Sequence, residues 1–140
     1  MKNFHKIEII ELPKYLDDRG NLSYIESENQ IPFCIKRAYW IYDVPGGEIR
    51  GSHAFKKSKE FIIALSGSFD VVLNDGNKEM RFNLNRSYLG LYVPNMLWRR
   101  LENFSTNSLA LIVSNISYKK NDYITEFKDF KRLKDEIAKQ

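Results

Sequence analysis

An all-β barrel or sandwich closed by a single C-terminal helix is the fold class this 140-residue sequence predicts. Two observations carry that expectation. Short apolar segments recur at regular spacing, separated by Gly, Pro and Asn, which is the pattern of packed antiparallel strands. Near residue 122 the apolar period changes from two to roughly three or four. In chain order, residues 6–12 alternate polar and apolar, and residues 21–27 follow the turn Asp17-Asp18-Arg19-Gly20. Residues 35–43 are rich in aromatics and stop at Pro45-Gly46-Gly47. Residues 53–57 and 60–66 lead into Gly67. Residues 68–74 reach Asn74-Asp75-Gly76-Asn77 and residues 78–84 return, the Asp-Gly step being a strong hairpin cue. Residues 87–93 end at Pro94, and residues 97–102 and 108–114 complete the strands. Tyr123, Phe127, Phe130, Leu133 and Ile137 then fall at helical spacing, which predicts a helix over about residues 122–138. Asp122 suits its N-cap, and Lys134 and Lys139 suit its C-terminal end. Its apolar face is expected to pack on the barrel or on a partner subunit.

The bulk numbers narrow the function classes. Aromatic residues make up 14% of the chain, mostly Tyr and Phe, which favour strands and also suit a polar pocket. The net charge is +4, but the basic residues are scattered, with no five-residue basic block and no zinc-finger or helix-turn-helix spacing. Nucleic acid is therefore not the expected partner. Cys34 is the single cysteine, so no internal disulfide forms. The N-terminal residues lack the continuous apolar core of a signal peptide, and no apolar run approaches the roughly 20 residues that span a bilayer. One cytoplasmic domain covering residues 1–140, without a membrane contact, is the expectation.

The stretch that carries chemistry is Gly51-Ser52-His53-Ala54-Phe55, followed by Glu60 and Gly67. Further on, Pro94 precedes Arg99 by five residues, and Asn103 follows Arg99 by four. These spacings resemble the two motifs of the cupin (jelly-roll) barrel, with Phe55 in the second slot of His-x-His and Arg99 in the slot of a later histidine. A first-row metal needs several imidazoles or carboxylates converging on one point. Phe55 offers no lone pair, and Arg99 is permanently cationic. Only His53 and Glu60 remain, so no metal and no other cofactor is expected. If residues 53–57 form one strand, His53, Phe55 and Lys57 share a face. In a cupin that face points inward, and Arg99 would look into the same space from a strand across the barrel. An imidazole, an aromatic plate and a guanidinium suit an anionic or oxygen-rich ligand. His5, ahead of the first strand, reads as a surface residue.

A closer resemblance rests on a set of segments. They are residues 31–37 (Ile-Pro-Phe-Cys-Ile-Lys-Arg), Tyr39-Trp40-Ile41-Tyr42-Asp43, Arg50-Gly51, His53-Ala54 and Lys56-Lys57. Asn74-Asp75-Gly76, Gly90-Leu91-Tyr92-Val93, Trp98, Phe104-Ser105 and Asp122-Tyr123-Ile124 complete it. This set resembles the dTDP-sugar 3,4-ketoisomerases. The resemblance implies a metal-free cupin barrel acting on a dTDP-linked keto sugar, and a homodimer with exchanged N-terminal strands. It implies conversion of dTDP-4-keto-6-deoxyglucose into a 3-keto-6-deoxyhexose, for 3-amino-3,6-dideoxy sugars of surface glycans such as lipopolysaccharide. His53 is then the candidate base, assisted by Tyr39 or Tyr92. Arg19, Arg50, Phe55, Lys57, Glu60 and Arg99 are the candidate substrate-binding residues. Arg50 and Lys57 are expected at the diphosphate, with Tyr39 or Trp40 stacking on the base. The positions of Arg19 and Arg99 are those the resemblance connects with the C4 configuration of the product. Phe55 departs from the family's second histidine. That departure keeps two alternatives open, a 3,5-epimerase-like activity and a non-catalytic nucleotide-sugar-binding barrel.

Overall fold

The computed structural model describes residues 6–140, so His5 lies outside the described residues. Two five-stranded antiparallel sheets face one another. The first has the order β1 (Glu8–Glu11), β9 (Leu89–Val93), β6 (Glu60–Ser66), β11 (Leu109–Ser114), β4 (Arg37–Tyr42). The second has the order β12 (Tyr123–Ile124), β5 (Arg50–Phe55), β10 (Trp98–Glu102), β7 (Phe69–Asn74), β8 (Glu79–Leu84). A small hairpin, β2 (Lys14–Tyr15) with β3 (Leu22–Ser23), stands outside both sheets. This is the cupin barrel. Period-two alternation builds it. Ile62 and Ala64 on β6, Leu91 and Val93 on β9, and Ala110 and Ile112 on β11 face Val71, Leu73 and Leu101 across a closed apolar core.

Alternate residues of the first sheet point the other way. Phe61, Ile63, Tyr92 and Val113 form a second buried layer, covered by Ile10, Leu12, Ile31 and Phe33. The outer face of the second sheet is covered by helix α1 (Phe127–Ala138), through Phe130 and Leu133 against Ala54, Ile124 and Trp98. The helix thus packs on the barrel by its apolar face. The 74–77 turn forms as its sequence predicts. Asp75 Oδ1 accepts from the backbone N–H groups of Asn77 and Lys78, and Gly76 takes φ +102°. Among the described residues, no helix is long and apolar enough to cross a membrane.

Several boundaries differ from the sequence expectation. The helix starts at Phe127, with Glu126 at its N-cap. Asp122 ends a 3₁₀ turn and caps nothing helical. Its carboxylate accepts from the backbone N–H of Lys57 (2.8 Å) and of Ser58 (3.1 Å), and from the Ser58 hydroxyl. Tyr123 falls at the start of the expected helical period, but it pairs with Phe55, and Ile124 with Ala54, as a strand. Strand β5 ends at Phe55, because the chain turns there onto Asp122, so Lys57 does not share a strand face with His53.

Candidate active site

The site is assembled from the inward ends of four strands. Arg37, Tyr39 and Ile41 are half-buried on β4, while Trp40 and Tyr42 between them are exposed at 58% and 61%. Glu60 faces inward on β6, in phase with Ile62 and Ala64 of the core. His53 lies on β5, and Arg99 is its direct partner on β10. Arg99 therefore comes from the neighbouring strand of the same sheet, not from across the barrel. Three residues of β10 span the register that four residues of β5 span, from Arg99↔His53 to Leu101↔Arg50. The bulge falls at Gly51, which takes φ +69° and turns its carbonyl toward Arg99 Nη1 at 3.0 Å. A Cβ at residue 51 would overlap that same Nη1. Glycine is required there both by conformation and by the close approach.

Arg99 is 1% exposed. Its Nε donates to Glu60 Oε1 at 2.9 Å, and its Nη2 lies 2.8 Å from the same oxygen. Nη2 also donates to the Tyr39 hydroxyl at 2.8 Å, and Tyr39 donates in turn to Glu60 Oε2. Burial opposes the guanidinium charge most, but Glu60, Tyr39 and Tyr123 together more than offset it and hold Arg99 protonated. Burial pushes the Tyr39 phenol well above its ordinary range; Arg99 opposes that shift and Glu60 adds to it. Tyr39 stays a neutral donor. Both Glu60 oxygens are engaged by Arg99 and Tyr39, so Glu60 positions these groups and is not itself free to grip a ligand. Among the described residues no cluster of three or more His, Cys, Asp or Glu could hold a metal.

His53 is framed by aromatic rings. Phe55 is edge-on to it at 4.8 Å between centroids, Tyr123 lies at 4.9 Å, and these two rings meet each other at 4.6 Å. His53 Nε2 is buried and has no hydrogen-bond partner among the described residues. Burial first, then the charges of Arg99 and Arg37, lower the imidazole to about 3. It is neutral across the physiological range. Phe55 fills the second motif slot as packing: its ring lies 5.6 Å from the Arg99 guanidinium and holds His53 from the side.

The other expected residues fall into distinct places. Tyr92 is fully buried, but it packs beside Phe33 in the outer layer, on the opposite face of its sheet from His53. Its strand parity, opposite to Leu91 and Val93, makes it unsuitable as an assisting group; burial alone raises its phenol. Lys57 is exposed beside Lys56, Lys119 and Asp122 in a separate depression. Arg50 lies at the start of β5 and shares a groove with Trp40, Tyr42 and Pro45. Arg19 sits at the tip of the β2–β3 hairpin with a 90% exposed side chain, forked onto Asp17 at 2.9 and 3.0 Å. It is not among the groups around His53. Two residues that carry the site were not singled out from the sequence as site residues. Arg37 donates to the Tyr123 hydroxyl at 2.8 Å, and its guanidinium lies 4.4 Å over the Tyr39 ring. The period-two step from Tyr39 to Arg37 was the available signal.

An unpartnered imidazole stands beside a buried guanidinium and a phenol inside a jelly-roll barrel, and the relatives built on this frame make the molecule a sugar isomerase of the cupin class. A family model described as "FdtA: WxcM-like, C-terminal" matches residues 5–135, and the chain belongs to that family. A curated relative, the TDP-4-oxo-6-deoxy-alpha-D-glucose-3,4-oxoisomerase of Aneurinibacillus thermoaerophilus, is 38% identical over 125 residues, covering 89% of this chain and 90% of the relative. The QdtA sugar 3,4-ketoisomerase of Thermoanaerobacterium thermosaccharolyticum in complex with TDP superposes with TM-score 0.91 at 30% identity, covering 93% and 95% of the two chains. A mutant of the same enzyme in complex with TDP-4-keto-6-deoxyglucose gives TM-score 0.91 at 29% identity, covering 93% and 94%. A 3,4-ketoisomerase from Helicobacter canadensis gives TM-score 0.90 at 36% identity, covering 92% and 97%.

Proposed function

We propose that this protein converts dTDP-4-keto-6-deoxyglucose into a dTDP-3-keto-6-deoxyhexose. The observation that carries this is the buried, unpartnered Nε2 of His53 beside guanidinium and phenol donors. The C3–H bond of the substrate is acidic because it is α to the C4 ketone. Neutral His53 takes that proton, and the electron pair forms an enediolate across C3 and C4. Donors at the cavity wall stabilise the developing oxyanion, and the proton returns at C4. The O3 proton moves to O4, so that C3 becomes the ketone and C4 the alcohol. One imidazole suffices, because the proton travels between adjacent carbons. No second histidine is needed in the slot of Phe55.

The exposed hairpin supports a homodimer with exchanged N-terminal strands. It carries Tyr15, Leu16 and Leu22 at 62%, 73% and 57% exposure, apolar area that a second copy would cover. Exchange brings Arg19 to the partner's site, where it meets the substrate. Arg50 and Trp40 share a groove of their own, whose lining does not include His53. In this reading the enzyme works in the cytoplasm and supplies 3-keto sugars for amination toward surface glycans such as lipopolysaccharide.

The test is turnover of dTDP-4-keto-6-deoxyglucose in deuterated water. Solvent deuterium at C3 or C4, with a 3-keto product, is the expected result. Deuterium at C5 would point to an epimerase, and bound nucleotide without exchange to a non-catalytic barrel.

A further inference from the structure

Two arginines stand near His53, and they differ in how their charge is balanced. Arg99 is buried and locked to Glu60, the Gly51 carbonyl and Tyr39. Arg37 is half-buried, and among the described residues no carboxylate lies within ion-pair distance of it. Its Nη1 donates to Tyr123, and its guanidinium lies 4.4 Å over Tyr39 and 5.1 Å over Tyr118. Two aromatic faces and one phenol fix a planar cation without neutralising it. A fixed, unneutralised guanidinium is a preformed anchor for a phosphate-type anion. The cavity beside it, lined by Tyr118, Lys120, Asn121, Tyr123 and Thr125, opens to solvent and adds an ammonium group.

Arg37 also bears on His53. The titratable and charged groups around the imidazole are Arg37 and Tyr39 from β4, Arg99 from β10 with Glu60 of β6 behind it, and Tyr123 from β12. Tyr39 and Tyr123 are neutral phenols, and Arg99 is already balanced by Glu60. An incoming anion therefore meets Arg37. In the free protein, burial, Arg99 and Arg37 together keep His53 from taking a proton. An imidazole so disposed is a weak base, and proton abstraction is fastest when its proton affinity is matched to the working pH.

We propose that Arg37 is a positioning residue acting through His53: it receives the diphosphate of the nucleotide sugar, and the balanced charge lets His53 accept the substrate's proton. The base is weak in the empty site and is armed by the substrate's own nucleotide. This inference rests on the nucleotide-sugar function proposed above.

The chain has two histidines, so His53 is assigned in an NMR titration of its imidazole by comparison with His53→Asn. With wild-type protein, dTDP is expected to raise the His53 midpoint, and thymidine is not. Arg37→Gln is expected to raise the midpoint of the free protein, to abolish the further rise with dTDP, and to weaken dTDP roughly tenfold or more. Arg37→Lys, which keeps the charge, is expected to restore the low midpoint of the free protein, and a misfolded Arg37→Gln would leave that comparison to decide. Bound dTDP with an unmoved His53 overturns the inference alone, as does an equal dTDP-induced rise in Arg37→Gln. A wild-type protein that does not bind dTDP at millimolar concentration overturns the proposed function and this inference together.

Discussion

At the residue scale, the proposed chemistry turns on one imidazole kept neutral. His53→Asn retains a polar side chain of similar reach but cannot carry a proton between carbons. Turnover is expected to fall by about 10²–10⁴-fold, with dTDP affinity within a few-fold of wild type by calorimetry. The same residue leaves a mark on stability. In the unfolded chain His53 binds a proton near 6.5, whereas in the fold it does so only near 3. Between those values the unfolded state holds more protons, so stability falls as pH is lowered through that window. Urea midpoints at pH 7 and pH 4.5 are expected to differ more for wild type than for His53→Asn. An equal difference in the two proteins would show that His53 is not held neutral. The aromatic frame of Phe55 and Tyr123 accounts for the depressed affinity, since rings exclude water without offering a hydrogen bond to the imidazolium.

At the element scale, two glycines in two strands separate function from packing. Gly51 makes the β5 bulge and leaves room for Arg99, so Gly51→Ala strains a positive φ and pushes the guanidinium away from His53. Gly90 on β9 faces the outer layer, where an added Cβ would overlap the Phe61 ring. Both substitutions overpack, and each is expected to cost about 1–3 kcal/mol in urea unfolding. Only Gly51→Ala is expected to lower turnover per folded molecule, because Phe61 and Tyr92 lie on the far face of their sheet. Equal kinetic effects from the two variants would sever the connection between the bulge and the site. Asp122 illustrates how an acidic residue placed before a helix can serve a different element. Its carboxylate ties down the turn after β5, at Lys57 and Ser58, through three donors and thereby sets where β12 lies along β5.

At the scale of the whole molecule, the β2–β3 hairpin is the part the barrel does not hold. Its two strands pair only with each other, and Tyr15 stacks on Tyr24 at 6.2 Å. A two-stranded hairpin with exposed Leu16 and Leu22 is marginal in water by itself. In the proposed dimer, a second copy would bury the hairpin and present Arg19 to a site. Leu22→Asp is therefore expected to shift the proposed dimer toward monomer in sedimentation experiments and to lower turnover with the monomer fraction. A wild-type protein that sediments as a monomer at micromolar concentration would remove the hairpin exchange from the mechanism.

The sequence by itself determined the strand succession, the 74–77 turn, the C-terminal amphipathic helix, and the His53, Glu60 and Arg99 positions of the barrel motifs. Each is written within a short window, as period-two or helical spacing, turn chemistry or motif distance, and short windows encode local backbone geometry directly. What a side chain meets is not written there. Tyr39 and Glu60 are 21 residues apart, Tyr39 and Arg99 are 60 apart, and Arg37 and Tyr123 are 86 apart. Only strand order, register and the bulge at Gly51 bring them together. The tertiary structure accordingly decided that Glu60 is committed to Arg99, that Tyr92 faces away from the site, that Lys57 leaves the strand face, and that of the two arginines near His53 only Arg99 is paired with a carboxylate among the described residues. A one-residue change of register moves a side chain to the other face of a sheet, so these outcomes depend on contacts between distant strands rather than on the residues themselves.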